Sequence, residues 1–560
     1  MIGAPEAAPP LSPWRAERVC LDRDGLLVVD KPIGMPVHGG DESLEHSVVE
    51  RVGAWLRTQG RSDYLGVHSR LDQGTSGLLL FVTDEARNAD VARATEQHAL
   101  ERIYHAVVLV ERGRRLRDGR VELSLEHRQG KTQIVSRGGQ RAVTHVRVLE
   151  RRGERALVEL KLETGRTHQI RATLAHLGAP LLGDTEYGGP PAARIFLHAT
   201  RLSGAPLPEP LESPAPRSFE RALAGDDGPA LDDLRDNLLD AFTLRAPLLA
   251  STAAFRALNG DGDGTAGLSI DAFGPYVAVN VYDEGWLTRL AELAELLQSL
   301  GYVGGYLKKR VKSDLRAEDA AELAPDEPFF GQAAPEAWLV REGAAQFEIR
   351  LTDGLSSGLF VDQRANRQRL TQLVEALARQ RRDAAQEPPK LLNLFCYTSS
   401  FSVQAALVGA RTVSVDLSGR AIERSRRNFE ANGLALGEHQ FWKDDAMKVL
   451  ARAERRGDRY DFIVLDPPSF ATVGKGTFSV KGRYVEAVKA CLGLLSPGGR
   501  LLAVTNHTAT SPEAFRAMLG GAARERGMRF ASLKDWSSSL DTPPGPFGPW
   551  PSKSLLATLA

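Results

Sequence analysis

The sequence predicts three folded units in a row: an α+β unit with a mixed or antiparallel sheet, a small α+β unit, and a doubly wound, Rossmann-like α/β unit. A chain of 560 residues is several times longer than a typical domain of roughly 100–200 residues. Short apolar runs prevail up to about residue 202, whereas predicted strands and helices alternate from Lys390 onward. That alternation predicts a parallel sheet with one open edge at the carboxyl ends of its strands.

The composition is that of a globular protein without net charge. Lys and Arg number 71 against 71 Asp and Glu, with 42% hydrophobic and 25% charged residues, which excludes disorder, collagen or coiled coil as the main architecture. The three cysteines are far apart, so neither a disulfide scaffold nor a zinc ribbon is expected. Without an 18-residue apolar run or a leader-like N-terminus, we expect a cytoplasmic protein that binds no membrane.

Charge alone points to no partner. Zero net charge removes a strongly basic domain as the simplest argument for nucleic acid, so such a partner has to be inferred from individual sites. The scattered histidines show no metal-ligand spacing, and no metal is expected.

The first unit is expected over residues 18–215, after a tail rich in Ala and Pro at residues 1–13. Apolar runs bounded by Gly, Pro or polar residues predict strands at residues 26–30, 78–83, 103–110 and 157–162. Five prolines fall among the thirteen residues 204–216, and an acidic stretch follows them. Residues 216–241 are therefore predicted to be a linker.

The second and third units are expected over residues 242–346 and 347–560. In the second unit the pattern predicts strands at residues 276–281 and 303–308 around a helix at 287–299. In the third unit strands are predicted at 391–395, 412–416, 462–466, 500–505 and 555–559, and helices at 401–408, 420–432 and 483–495.

Four polar segments stand out in the first unit. They are Asp30-Lys-Pro-Ile-Gly-Met-Pro-Val-His38, His68-Ser-Arg-Leu-Asp-Gln-Gly-Thr-Ser-Gly77, Glu101-Arg-Ile-Tyr-His-Ala-Val107 and Glu163-Thr-Gly-Arg-Thr-His-Gln-Ile-Arg171. Each is weak by itself, because an Asp beside an Arg is usually a surface ion pair. In this order they resemble the RluA class of RNA pseudouridine synthases, over about residues 20–215.

The resemblance implies that this unit isomerises uridine in RNA to pseudouridine without a cofactor. Asp72 matches the essential aspartate, Arg171 the guanidinium paired with it, and Tyr104 the aromatic ring that stacks on the base. Arg70 matches the side chain that fills the space left by a flipped-out base. Ser69 and Arg102 depart from the family's usual His and Lys. The alternative is a unit that binds RNA without turnover.

In the third unit, polar segments follow the predicted strands. Asn393-Leu-Phe-Cys-Tyr-Thr-Ser-Ser-Phe401 follows the first, and Asp416 closes the next about 20 residues on, where an acid can hydrogen-bond a ribose diol. Asp444-Asp445 and Asp466-Pro-Pro-Ser-Phe470 close two more strands. A carboxylate, a rigid turn and an aromatic ring suit a planar base. No G-x-G-x-x-G motif or P-loop occurs, which disfavours a pyrophosphate cofactor.

Together with Gly358-Leu-Phe-Val-Asp-Gln-Arg-Ala-Asn-Arg367, these segments resemble class I S-adenosylmethionine-dependent RNA methyltransferases of the large-subunit rRNA cytosine-5 and guanine-N7 group. The middle unit resembles the small domain that precedes them, so the match covers about residues 242–560. The resemblance implies S-adenosylmethionine as cofactor and RNA, most simply ribosomal RNA, as partner. It implies a cofactor pocket of Gln363, Phe395, Tyr397, Thr398, Asp416 and Asp444 or Asp445, and a target-base site of catalytic Asp466 with Pro467, Pro468, Phe470 and Asn506.

Which base atom is methylated stays open between two alternatives. Methylation at cytosine carbon 5 needs a thiolate that adds to carbon 6, yet Thr505-Asn506-His507-Thr508 carries no cysteine where such relatives have one. Cys396 and Cys491 are expected to be core thiols. This favours a guanine nitrogen over cytosine carbon 5. Ser399 replaces the family's preferred Gly, and an inactive methyltransferase-like module that only docks RNA is a further alternative.

Overall fold

A computed structural model of the chain describes residues 12–38, 47–128, 131–192, 194–226, 234–311, 320–468, 472–473, 476–477, 483–507, 510–536, 539–543 and 552–560. Most of the tail expected at residues 1–13 lies outside these ranges. The described residues form three units in the predicted order, each with its own sheet. Within these ranges, no helix has both the length and the low polarity needed to cross a bilayer.

The first unit is an α+β fold around an eleven-stranded mixed sheet. Its strands are β1 (Val19–Arg23), β2 (Leu26–Lys31), β3 (Gly66–Val67), β4 (Ser76–Val82), β5 (Glu101–Leu109), β6 (Gly119–Arg128), β7 (Lys131–Ile134), β8 (Gln140–Arg152), β9 (Arg155–Leu162), β10 (Leu197–Ser203) and β11 (Leu211–Glu212). Its helices are α1 (Val48–Thr58), α2 (Asn88–Glu96), α3 (Gln169–His176) and α4 (Ser218–Leu223). The order is β1-β2-β4-β10-β5-β9-β8-β6-β7, with β3 beside β4 and β11 beside β10.

The four strands predicted for this unit are confirmed, with ends within two residues of the expected ones. Strand β4 is buried along its whole length, which is why its sequence is a continuous apolar run. Strands β6 and β8 were not predicted. Charged and exposed side chains interrupt the partly buried ones in both strands, so neither strand contains the apolar run that marks the others.

The second unit carries a five-stranded sheet in the order β12-β13-β14-β15-β16 and a separate hairpin of β17 and β18. Its elements are α5 (Leu234–Arg245), β12 (Ala254–Asn259), β13 (Leu268–Phe273), β14 (Tyr276–Val281), α6 (Leu290–Ser299), β15 (Gly304–Lys309), α7 (Ala320–Leu323), β16 (Phe330–Gly331), β17 (Trp338–Glu342) and β18 (Ala345–Ile349). The predicted strand at residues 276–281 is confirmed to the residue.

The segment predicted to be a linker, residues 216–241, is partly helical. Helix α4 buries Phe219 and Ala222 in a small apolar cluster of the first unit. Helix α5 buries Leu234 and Leu238 in the core of the second unit. Apolar residues three and four apart form these buried faces, a signal that the neighbouring prolines and acids obscured in the sequence. Residues 227–233 between the helices lie outside the described ranges.

The third unit is a doubly wound α/β fold, as predicted. Its elements are α8 (Arg364–Asp383), β19 (Lys390–Leu394), α9 (Ser400–Leu407), β20 (Arg411–Asp416), α10 (Gly419–Ala431), β21 (Gln440–Lys443), α11 (Ala446–Arg456), β22 (Tyr460–Leu465), β23 (Thr472–Val473), β24 (Gly476–Thr477), α12 (Arg483–Leu494), β25 (Leu495–Thr505), α13 (Pro512–Glu525), β26 (Phe530–Asp535) and β27 (Lys553–Leu559). Strands β23 and β24 form a separate short hairpin.

The strand order of the large sheet in this unit decides where a ligand can bind. The order is β21-β20-β19-β22-β25-β27-β26; its first five strands are parallel, and β27 runs antiparallel to β25 and β26. The chain moves outward from β19 to β20 and β21, then crosses back to β22. Open sheets of this type bind ligands outside the carboxyl ends of their strands, at the point where the order reverses. The polar segments after β19, β20 and β22 therefore meet at one edge.

Helix α5 connects the first unit to the other two through ion pairs. Arg18 of the first unit donates from Nε to Asp240 of α5 at 2.8 Å. At the end of the same helix, the fully buried Arg245 holds Asp263 at 2.6 Å and donates to the backbone carbonyl of Asp541 at 3.1 Å. The carboxylate of Asp541 in turn accepts from Arg364 at the start of α8, at 2.8 Å. Charged groups that are this buried need such partners.

Candidate active sites

A cavity of about 990 Å³ opens in the first unit and collects the residues of three of its four polar segments, together with the end of the fourth. Asp72 lies on its wall with Arg70, Tyr104 and Arg171. The four predicted site residues of this unit are therefore brought together, although they span a hundred residues of sequence. The wall also includes His38, Arg102, Arg166, His168 and Glu186.

Lys31, at the end of β2, holds the loop that carries Asp72 through hydrogen bonds. The Lys31 side chain is fully buried, and its ammonium donates to the carbonyls of Pro32 and Met35 at 2.8 Å and of Gln73 at 3.3 Å. Burial lowers the pKa of Lys31 to about 7, against the opposing charge of Asp72. Because Gln73 follows Asp72 directly, this contact fixes the loop that presents the carboxylate. Sequence reasoning did not single out Lys31.

The direct pair predicted between Arg171 and Asp72 is not formed. Arg171 donates instead to both oxygens of Asp184, at 2.6 and 2.7 Å, and to Glu186 at 2.7 Å. Burial by itself would lower the pKa of Arg171, but the carboxylates of Asp184, Asp72 and Glu186 together raise it. The buried Asp184 offers two parallel acceptors that match the guanidinium fork, and it lies in a segment that carried no sequence signal. Arg171 thus acts on Asp72 through its charge at longer range.

His168 is the cavity residue nearest to forming an ion pair with Asp72. Its Nε2 lies 3.9 Å from the Asp72 carboxylate and 3.2 Å from a guanidinium nitrogen of Arg171. His168 precedes α3 with a φ of 53°, a left-handed conformation that costs a non-glycine residue about 1–2 kcal/mol. In this conformation the His168 ring lines the cavity. Sequence reasoning noted this histidine without assigning it a role.

Tyr104 and Arg70 occupy opposite environments in the same cavity. Tyr104 lies on β5 and is 5% exposed; burial raises the pKa of its phenol, so the group is neutral. Its ring offers an apolar surface of the kind on which a base stacks. Arg70 is exposed, two residues before Asp72 on the polar loop, where a mobile cation suits the phosphate-rich surface of a nucleic acid.

The second site lies at the switch point of the third unit. The loop after β19 places three non-glycine residues in the left-handed region: Phe395, Tyr397 and Ser399, at φ 57°, 49° and 63°. Ser399 therefore adopts the conformation that explains the family's preference for glycine at this position. Its hydroxyl donates to Ser425 at 2.7 Å, which offsets part of the strain.

Asp416 closes β20 beside this loop, as predicted. One carboxylate oxygen accepts from the backbone N–H of Tyr397 and the other from that of Ser418, both at 2.9 Å. Burial raises the pKa of the Asp416 carboxyl, and these donors oppose the rise. Each oxygen keeps a lone pair, so an acceptor for a ribose diol is available where a nucleoside cofactor is expected. The Tyr397 ring packs 5.1 Å from that of the exposed Phe360.

Other predicted cofactor residues are bound to the protein itself. The Thr398 hydroxyl is buried and donates to the carbonyl of Gly358 at 2.6 Å. Gln363 donates to Ser552 at 2.9 Å and accepts from Asn366 at 2.8 Å. Both side chains brace the walls of the site. These bonds do not use up either side chain, since a hydroxyl oxygen has two lone pairs and a side-chain amide has two N–H donors, so the role of both residues in a cofactor site stays a prediction.

The structure separates the roles of the two neighbouring acids after β21. Asp445 caps α11 by accepting from the backbone N–H of Lys448 at 3.1 Å. Asp444 accepts from Arg452 at 2.8 Å, and the N–H of Asp445 and the Arg452 guanidinium lower the pKa of its carboxyl. Of the two acids predicted to meet the cofactor, Asp445 is the N-cap of α11 and Asp444 is not part of that cap.

Asp466 follows β22 and lies near a second acid that the sequence did not single out. Burial, together with the negative charge of Asp362, raises the pKa of Asp466 to about 7, and Arg367 opposes the rise. Arg367 is itself paired with the fully buried Glu342 through two contacts of 2.6 Å. Pro467 is buried and Pro468 exposed. Phe470 lies outside the described residues, and the exposed Asn506 directly follows β25.

Both cysteines of the third unit are core residues, as expected. Cys396 is 7% and Cys491 0% exposed, and burial raises the pKa of each thiol. The remaining cysteine, Cys20, lies in β1 of the first unit. A raised thiol pKa means that the reactive thiolate is scarce at neutral pH.

Two family models match the chain, one on each half. A model described as RNA pseudouridylate synthase matches residues 25–176, and one described as S-adenosylmethionine-dependent methyltransferase matches residues 307–545. The first covers Asp72 and Arg171. The second covers the loop after β19, Asp416 and Asp466.

Curated relatives resemble the second and third units. The chain is 31% identical over 310 residues to "Putative ribosomal RNA large subunit methyltransferase YwbD" of Bacillus subtilis (strain 168), which covers 54% of this chain and 74% of that protein. It is 30% identical over 295 residues to "Ribosomal RNA large subunit methyltransferase" of Deinococcus radiodurans, covering 52% and 69%. A solved structure, "A putative sam-dependent methyltransferase from Streptococcus mutans", is 27% identical with a TM-score of 0.50, covering 58% and 81%.

Proposed function

Because the chain belongs to the family of ribosomal RNA large subunit methyltransferases and carries an RNA pseudouridylate synthase domain ahead of its methyltransferase domain, we propose that it modifies ribosomal RNA twice. The first unit isomerises uridine to pseudouridine. The third unit transfers a methyl group from S-adenosylmethionine to a base, which we assign as guanine, at a ring nitrogen.

The observation that supports pseudouridine formation is that Asp72 lines one cavity together with the aromatic ring of Tyr104 and the guanidinium groups of Arg70 and Arg171. A uridine flipped out of its RNA stack can place its base against Tyr104, while Arg70 occupies the vacated space. The Asp72 carboxylate then acts on the ribose, as nucleophile at carbon 1′ or as base. The glycosidic bond breaks, the base turns, and a bond to carbon 5 forms as the carbon-5 proton is lost and N1 gains one. The atoms balance without a co-reactant.

Asp72→Asn tests this activity, since it removes the charge and keeps the shape. We expect the rate of pseudouridine formation in a large-subunit rRNA transcript to fall by about 10³-fold or more, with RNA affinity largely kept. The exposed Asp90, replaced in the same way, is the control. Mass spectrometry of the digested nucleosides reads the product, and retained turnover in Asp72→Asn would refute the assignment.

The methyltransferase proposal rests on the open edge at β19, β20 and β22. S-adenosylmethionine supplies the methyl group as an electrophile when bound. In this proposal Asp416 accepts a ribose diol, which its two carboxylate oxygens, held by backbone N–H groups, support. The left-handed residues of the loop Phe395–Ser399 lie next to it, and the backbone N–H of Asp444 donates to the carbonyl of Asp416 at 3.1 Å. Asp466, whose pKa of about 7 makes it both donor and acceptor near neutrality, is placed to meet polar atoms of the target base.

The absence of an available thiolate favours a nitrogen. Cytosine carbon 5 becomes nucleophilic only after a thiolate adds to carbon 6, and the two cysteines of the third unit are buried with raised pKa values. A guanine ring nitrogen has its own lone pair and can attack the methyl group directly. Nucleoside mass spectrometry after incubation with S-adenosylmethionine labelled in the methyl group distinguishes the two: a labelled methylguanosine supports the proposal, and 5-methylcytidine overturns it.

Equilibrium dialysis with labelled S-adenosylmethionine separates this proposal from a module that only docks RNA. We expect saturable binding to the full chain that non-radioactive cofactor displaces. Its absence would leave the third unit as an RNA-binding domain without methyl transfer.

A further inference from the structure

His168 is a titratable group of the first cavity to which the proposed reaction gives no task. Its side chain is 16% exposed, and the Asp72 side chain that it approaches is 28% exposed. The ring is held on both sides: it meets the rings of His127 and Tyr187 edge to face, each at 5.7 Å between centroids. A ring so confined has one orientation, and its two nitrogens therefore have distinct partners.

The partners determine which nitrogen carries the proton. A guanidinium has only donors, so Nε2, at 3.2 Å from Arg171, has to be the acceptor. The proton of the neutral ring is then on Nδ1, which donates to the Tyr187 hydroxyl at 2.9 Å. That hydroxyl oxygen also accepts from the backbone N–H of Thr132 at 2.7 Å. The hydrogen-bond pattern thus requires neutral His168 with its Nε2 lone pair directed into the cavity.

We propose that neutral His168 is a positioning residue of the pseudouridine-forming site, which holds Arg171 through its Nε2 lone pair and leaves the Asp72 carboxylate free for the ribose. The inference rests on the proposed synthase activity. Asp184, Glu186 and His168 all contact the Arg171 guanidinium. The first two do so with carboxylates, and His168 does so with a neutral ring.

Protonation of His168 would reverse both effects. An imidazolium has no acceptor for Arg171 and repels it. Its Nε2–H would turn toward the nearest anion, Asp72, at 3.9 Å, and tie up the carboxylate in an ion pair. The charged and titratable groups that face the ring are Asp72, Arg171, Glu186, His127 and Tyr187.

Burial keeps the ring neutral near physiological pH. It lowers the pKa of His168, against the attraction of Asp72 and Glu186 and with the help of Arg171 and His127. Activity that requires the neutral ring is complete above this pKa and is lost as pH falls through it. The acid limb of the rate profile is therefore expected to report His168.

Two uncharged replacements separate the roles of the two nitrogens. His168→Gln places an amide oxygen near the position of Nε2 and keeps an acceptor for Arg171. His168→Asn keeps a donor near the position of Nδ1, tolerates the left-handed backbone, and is too short to reach Arg171. His127→Gln is the comparison variant, because His127 packs against the same ring at 5.7 Å between centroids and helps to lower its pKa, whereas His168 itself makes the hydrogen bond to Arg171.

The measurement is single-turnover pseudouridine formation by the full chain on a large-subunit rRNA transcript, across pH. For His168→Gln we expect a rate at neutral pH within about threefold of wild type and an acid limb moved to lower pH; for His168→Asn we expect a loss of roughly tenfold or more at every pH. His127→Gln should keep the wild-type rate at neutral pH and move the acid limb to higher pH, because His127 helps to lower the pKa of His168.

An acid limb in His168→Gln that coincides with that of the wild type overturns the inference, as does a wild-type rate in His168→Asn. Failure of the proposed function has a different signature, because the wild-type chain itself would then form no pseudouridine at any pH. Thermal unfolding of each variant, measured in the same buffers, identifies a loss of rate that comes from unfolding. If His168→Asn melts below the assay temperature, the acid limb of folded His168→Gln decides: a limb at lower pH supports the inference, and an unshifted limb overturns it.

Discussion

At the scale of single residues, each site contains a charged side chain that hydrogen bonds to backbone groups hold in place. Asp416 is held by two backbone N–H groups, and the ammonium of Lys31 is held by three backbone carbonyls. Each residue has a perturbed pKa chiefly because burial disfavours its charged form. Replacing either residue therefore affects a defined set of hydrogen bonds.

Asp416→Asn should weaken S-adenosylmethionine binding by about 10–100-fold, since a charged acceptor is worth roughly 1.5–3 kcal/mol. The amide also turns a donor toward one of the two backbone N–H groups. Isothermal titration calorimetry of the full chain measures the affinity. Asp383→Asn, at the exposed end of α8, is the control, and unchanged affinity in Asp416→Asn would remove Asp416 from the cofactor site.

Lys31 should make the stability of the first unit depend on pH. Its pKa of about 7 is below the ordinary value of about 10.4 expected in the unfolded chain. Between these values the unfolded chain binds more protons, so the free energy of unfolding rises with pH. From about pH 7 to about pH 9, the melting temperature of the wild type should rise relative to that of Lys31→Met. Calorimetric scans check this, with the exposed Lys161→Met as control; parallel curves would contradict it.

At the scale of elements, two short segments shape the molecule: the loop between β19 and α9, and helix α5. The loop between β19 and α9 alternates left-handed and ordinary residues, so its shape depends on residues that tolerate positive φ. Helix α5 carries Asp240 at one side and Arg245 at its end, and both are bound to other parts of the chain.

Ser399→Gly and Ser399→Val form a matched pair for the loop. Glycine relieves the left-handed strain and loses the hydroxyl bond to Ser425, so the two effects, each about 1 kcal/mol, nearly cancel. A β-branched residue in that conformation costs about 1–3 kcal/mol. We expect cofactor affinity near wild type for Gly and a clear loss for Val, measured by dialysis. Equal affinities would show that the conformation at Ser399 does not matter.

Asp240→Asn should loosen the connection between the first two units. Asp240 accepts from Arg15 and Arg18, and its side chain is 19% exposed. Removing its charge takes one carboxylate partner from each arginine and leaves Arg15 with Asp236 and Arg18 with Asp30. We expect a loss of about 1–3 kcal/mol in the free energy of unfolding. Asp226→Asn is the control, because its pair with Arg221 is 57% exposed on the acid side. Similar denaturation midpoints for the two variants would contradict the prediction.

At the scale of the whole molecule, the two sites lie in different units and use different chemistry. Asp72 belongs to the mixed sheet of the first unit and Asp466 to the parallel sheet of the third. Neither site borrows a described side chain from the other unit within hydrogen-bond distance of these two acids. The proposed activities should therefore be separable.

Asp72→Asn should abolish pseudouridine formation and keep methyl transfer, whereas Asp466→Asn should do the reverse and keep S-adenosylmethionine binding. Both products are read from one nucleoside digest of the same rRNA transcript, so each activity is the control for the other. Loss of methyl transfer in Asp72→Asn would show that one modification is required before the other.

Local pattern was enough for the elements whose environment is uniform. The buried runs at β4, β14, β19 and β22 have apolar sequences because both of their faces are covered. Strand β21, for which the sequence predicted no bounds, is half-buried or exposed along its length. Strands β6 and β8, interrupted by charged side chains, and helices α4 and α5, inside an acidic and Pro-rich stretch, lack that signature. Their structure depends on the partner against which they pack.

The sequence by itself predicted the three units and the two polar constellations, because short motifs at strand ends mark the residues that a loop presents. Only the tertiary structure decided which groups meet. It gave Arg171 to Asp184 rather than to Asp72, brought His168 to the Asp72 carboxylate, and set Asp362 near Asp466. Such pairings join residues from separate segments, and electrostatic and hydrogen-bond energies depend on distance and burial, which a linear pattern does not contain.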